Sequence, residues 1–76
     1  MSFAPVSELA EQNSLLSRRE VEVLALLVEG RSNTEIADVL YISKRTVDNH
    51  LCRAYEKLGV NNRVKAIRKA LTMGLI

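Results

Sequence analysis

The chain of 76 residues has no tryptophan, one proline, one cysteine, one histidine and three glycines, and each shortage excludes a class of function. A single thiol, Cys52, forms no intrachain disulfide, and one histidine cannot complete a Cys/His set for structural zinc. Such a chain suits the cytoplasm. No apolar run approaches the roughly 18 residues of a membrane span, and Met1 to Gln12 lack the basic start and apolar core of a signal peptide. The two tyrosines, Tyr41 and Tyr55, are too few for the stacking platform that single-stranded nucleic acid uses. His50 is the one imidazole, and Asp48 and Cys52, each two residues from it, do not face it on a helix. It is left to a structural hydrogen bond or a phosphate contact. Phosphate-binding glycine loops, paired metal-ligand spacings and nucleophile elbows are also missing, so no enzyme, metal or cofactor is expected.

What is present describes one small soluble domain, at 47% hydrophobic and 26% charged residues. A chain of this length buries only about 60% of the surface its unfolded form exposes, so pairing with a second copy would help it. The net charge of +2 hides an asymmetry. From Lys44 onward eight basic residues face only two acidic ones, Asp48 and Glu56. That imbalance suits a polyanionic partner, although a basic helix face is commonly plain solvated surface.

Residues 1–13 show no sustained period and read as a flexible arm or linker remnant, with a domain over 14–76. Strand signals are absent and four helices are expected, an all-α domain. Ser17 and Glu20 form a capping-box pattern for the first, whose apolar stripe is Val21, Leu24, Leu27 and Val28, ended by Gly30. Ser32, Asn33 or Thr34 caps a short second helix with Ile36, Ala37 and Leu40 inward, before a turn at Tyr41 and Ile42. Ser43 starts the third, with Val47, Leu51, Ala54 and Leu58 as its stripe and Gly59 closing it. Asn61 or Asn62 caps the fourth, which carries two stripes: Val60, Val64, Ile67 and Leu71, and Ala66, Ala70 and Met73.

Two helices joined by a short turn make a helix-turn-helix when a small residue lets them cross, and Ala37 supplies it with Val47 ten residues on. That spacing fits a DNA-binding motif from about Asn33 to Cys52, except that Tyr41 stands where glycine often sits. The outer face of the third helix holds Lys44, Arg45, Asp48, Asn49, Cys52, Arg53 and Glu56, on a cylinder that fits the major groove. Ser43, Lys44, Arg45 and Thr46 in its first turn suit phosphate oxygens. Asn49 is the best base reader, because its amide both donates to and accepts from adenine. Asp48 reads either as an acceptor for cytosine N4 or as a helix-dipole and solubility residue. Cys52 either approaches a thymine methyl or borders the interface.

The runs Leu-Ser-Arg-Arg-Glu-Val-Glu-Val-Leu (16–24), Gly-Arg-Ser-Asn-Thr-Glu-Ile-Ala (30–37), Ile-Ser-Lys-Arg-Thr-Val (42–47), His50 and Lys-Leu-Gly-Val-Asn-Asn-Arg (57–63) resemble the LuxR/NarL/GerE family. The resemblance covers about Leu16 to Leu75. It implies a bacterial transcription regulator with a four-helix-bundle-like domain of the winged-helix class, lacking the wing, that places its third helix in the major groove of double-stranded DNA. It also implies base contacts at Asp48, Asn49 and Cys52, and phosphate contacts at or near Thr34, Ser43, Arg45, Thr46, Arg53 and Lys57. Several relatives carry lysine or another neutral or basic residue in place of Asp48, and a basic residue in place of Cys52. The operator therefore cannot be borrowed from them.

The family pairs through its fourth helix, and here Ala66, Ala70 and Met73 form the expected homodimer face, with both stripes being core as the alternative. A symmetric pair implies an inverted-repeat operator with half-sites roughly 10 to 21 base pairs apart. RNA polymerase is the further partner a transcription role implies. The rival reading is a helical protein-interaction module gripping an acidic partner.

Overall fold

A computed structural model describes residues 16–74, and the arm expected over 1–13 lies outside them. The described residues form four helices and no strand: α1 (Arg18–Val28), α2 (Asn33–Leu40), α3 (Lys44–Leu58) and α4 (Arg63–Thr72). Each begins where a side chain can accept the orphan amides of a first turn. Ser17 and Ser32 both build reciprocal capping boxes, with Glu20 and Glu35 respectively. Ser43 caps α3 through the Thr46 amide and Asn62 caps α4 through the Lys65 amide. Of the alternatives the sequence offered, Ser32 and Asn62 are the caps.

The turn between α2 and α3 keeps the backbone that glycine would supply. Tyr41 adopts φ 58° and ψ 43°, and it is the only non-glycine residue with positive φ among those described. The residue is 94% exposed, so no packing compensates a conformation that disfavours a Cβ.

The core gathers Val23, Leu24 and Leu27 of α1, Ile36 and Ala37 of α2, Val47, Leu51, Ala54 and Leu58 of α3, and Ala66 of α4. Burying each larger aliphatic side chain contributes about 1.5–3 kcal/mol. α3 lies against both α1 and α2, and α4 rests on α1. The expected α3 stripe is buried in full, and Ala37 occupies the α2 core position that the crossing requires.

Two expectations need correction. The inward face of α1 is Glu20, Val23, Leu24 and Leu27, while Val21 and Val28 are only half-buried flanks. A glutamate at the first position of that face disguised its register. On α4, Ala66 and Ala70 have no exposed surface, so they offer no pairing face; only Met73 of that set, at 39%, reaches solvent. Small residues let α4 approach the domain closely, and the outward apolar residues are Val64 and Leu71 instead.

Candidate nucleic-acid interface

The helix α3 is held on one side by its buried stripe, which fixes the direction of everything on the other. Lys44, Arg45, Asp48, Asn49, Cys52 and Arg53 are all exposed on that outer side. Among the described residues Lys44, Arg45 and Arg53 form no salt bridge, so their charges face solvent. At the helix start the Ser43 hydroxyl accepts from the Thr46 amide at 3.0 Å and shares a 2.8 Å hydrogen bond with the Thr46 hydroxyl. The two hydroxyls are thus held side by side. Thr34 is exposed in the first turn of α2.

Lys57, expected at or near a phosphate, has a partner inside the domain. Its ammonium donates to Glu20 Oε1 at 2.9 Å, and the Glu20 side chain is only 2% exposed. The same oxygen accepts the Ser17 amide at 2.9 Å. Burial pushes the Glu20 carboxyl upward, but the Lys57 and Ser17 hydrogen bonds and the charges of Lys57 and His50 together hold it below the ordinary value. A buried carboxylate needs this partner, so Lys57 is committed to the fold. His50 is half-buried on α3.

Asp48 is exposed, yet its carboxylate has a partner. Asn33 Nδ2 donates to Asp48 Oδ1 at 2.7 Å, and Asn33 Oδ1 accepts from Arg63 Nη1 at 3.1 Å. Arg63 Nη2 donates in turn to the Arg31 carbonyl oxygen. Tyr55 lies close by; burial raises its phenol, with the Arg63 charge acting against that rise. Sequence reasoning missed Asn33 and Arg63, having treated the first as an alternative cap and the second as one of many bases. The signal that both open their helices was present, but contacts across 15 and 30 residues leave no periodicity.

Among the described residues there is no pocket and no cluster of three potential metal ligands. No helix among them is long and apolar enough to cross a membrane. An all-α fold with a helix-turn-helix formed by α2 and α3, and an exposed, basic outer face on α3, defines a DNA-binding domain of transcription regulators.

The family model described as "Bacterial regulatory proteins, luxR family" matches residues 14–70, and the chain belongs to that family. Spore germination protein GerE of Bacillus subtilis (strain 168) is 45% identical over 64 residues, which are 84% of this chain and 86% of that one. Transcriptional activator protein AnoR of Acinetobacter nosocomialis is 39% identical over 69 residues, 91% of this chain but 29% of AnoR. The chain therefore spans less than a third of that activator. The solved structure of transcription factor GerE superposes with a TM-score of 0.75 at 43% identity, covering 80% of this chain and 91% of that one. DNA binding in the service of transcription regulation is accordingly the domain's role.

Proposed function

We propose that the domain reads an operator in double-stranded DNA by laying α3 in the major groove, as a homodimer paired through α4. The observation that carries this is the exposed face of α3, where Asn49 and the charges of Lys44, Arg45 and Arg53 stand opposite a fully buried stripe. Asn49 is the base reader and Cys52 borders the same groove. Lys44, Arg45, Arg53, Thr34 and the paired hydroxyls of Ser43 and Thr46 meet phosphates, positioning the helix without reading sequence. Val64 and Leu71, 66% and 54% exposed on α4, supply the pairing face in place of the alanines. The operator is then an inverted repeat. No catalysis is assigned to the domain, its compartment is the cytoplasm, and RNA polymerase is the machinery it acts upon.

Selection of bound duplexes from a random library, with affinities compared at two salt concentrations, tests the reading. Enrichment of an inverted repeat supports it in full. Salt-sensitive binding without enrichment removes the base-reading role, and no binding at low salt points to an acidic protein partner instead.

A further inference from the structure

We propose that Asp48 is a positioning residue, acting through Asn33 and Arg63 to set the angle of the recognition helix, and that it does not read a base. The inference rests on the DNA-binding reading above. α3 is tied to α2 by the turn at Tyr41 and by the core that Ala37 shares with the α3 stripe, and both of those ties lie on the inner side of the helix pair. The bond from Asn33, the first residue of α2, to Asp48, one turn into α3, adds a polar tie on the exposed side.

The geometry of Asn33 shows why the tie is directional. Its amide donates to a carboxylate on one side and accepts from a guanidinium on the other. Exchanging its oxygen and nitrogen would set donor against donor and acceptor against acceptor, so only one orientation satisfies both neighbours. Arg63, the first residue of α4, also grips the Arg31 carbonyl in the loop before α2. The start of α2, the loop before it, the start of α4 and the second turn of α3 therefore meet at one chain of hydrogen bonds. Base recognition tolerates errors of only roughly 0.5 Å and 10–20° in a reading side chain, so a brace on the helix axis acts on every base contact at once. A negative charge on a face meant for phosphates is otherwise unfavourable, and the brace gives it a purpose.

The test applies duplex selection and thermal unfolding to the full chain and to Asp48→Asn, Asp48→Ala, Asn33→Ala and the Asn33→Ala/Asp48→Ala double variant. Asp48→Asn keeps an acceptor for Asn33 and removes the charge. It should retain the wild-type motif while binding operator and random DNA more tightly by the same factor. Asp48→Ala and Asn33→Ala should each lower the operator-to-random ratio by roughly fivefold, spread over several base pairs, with the double variant no worse than either. A motif changed at one base pair by Asp48→Asn and untouched by Asn33→Ala would make Asp48 a reader and overturn the proposal. Loss of melting temperature with an unchanged ratio would overturn it also, leaving a merely structural bond. Failure of the wild-type chain to enrich any motif is a different result, which refutes sequence reading itself.

Discussion

At the scale of single residues, the glutamate at position 20 carries more than its type suggests. It completes the cap of α1, lies 2% exposed beside the core and receives the Lys57 ammonium. Lys57→Ala leaves that carboxylate buried without its cation and should cost about 1–3 kcal/mol, measured by urea unfolding. The salt dependence of DNA binding should hardly change in this variant. Arg45→Ala should do the reverse, keeping stability and lowering the slope of log affinity against log salt by about one unit. The pH dependence follows from the depressed carboxyl. Its contribution is fully present above the unfolded value near 4.5 and is lost as pH falls through the lower folded value, so the urea midpoint should decline on acidification across that range. Tyr41→Gly relieves a left-handed tyrosine that packs against nothing, and should raise stability by up to about 1 kcal/mol, read from the same unfolding curves.

The elements were legible in unequal measure. α3 was readable because Val47, Leu51, Ala54 and Leu58 recur at helical spacing and every one is buried. The helix starts were readable because serine followed three residues later by glutamate is a local signature, seen at both Ser17 and Ser32. α4 misled because alanine is apolar enough for either face, and only packing decides which face the close approach of helices needs. That difference yields a test. Leu71→Glu should abolish self-association in sedimentation while helicity by circular dichroism stays intact, whereas Ala70→Glu, at a site with no exposed surface, should unfold the domain. On α3, Asn49→Ala should relax preference at one base pair at a cost of about 1–3 kcal/mol, checked by affinities for single-base operator variants.

For the whole molecule, the candidate site was visible as a list of side chains and invisible as an assembly. Lys44, Arg45, Asn49 and Arg53 emerge on the exposed face that periodicity assigns them. What periodicity cannot show is which charges are already taken. Lys57 and Asp48 looked like members of that surface, yet each has a partner far away in sequence, 37 and 15 residues distant. Such pairs arise only when helices are brought together, so they belong to tertiary structure and leave no mark in a local pattern.

The shared oxygen of Glu20 has a consequence for how the domain breathes. Because Oε1 accepts both the Ser17 amide and the Lys57 ammonium, fraying at the start of α1 removes one polar tie from the end of α3, and detachment there weakens the cap. Opening at either place therefore favours opening at the other. In hydrogen–deuterium exchange, the amides of the first turn of α1 and the last turn of α3 should therefore share one opening free energy, and the domain should behave as a single cooperative unit.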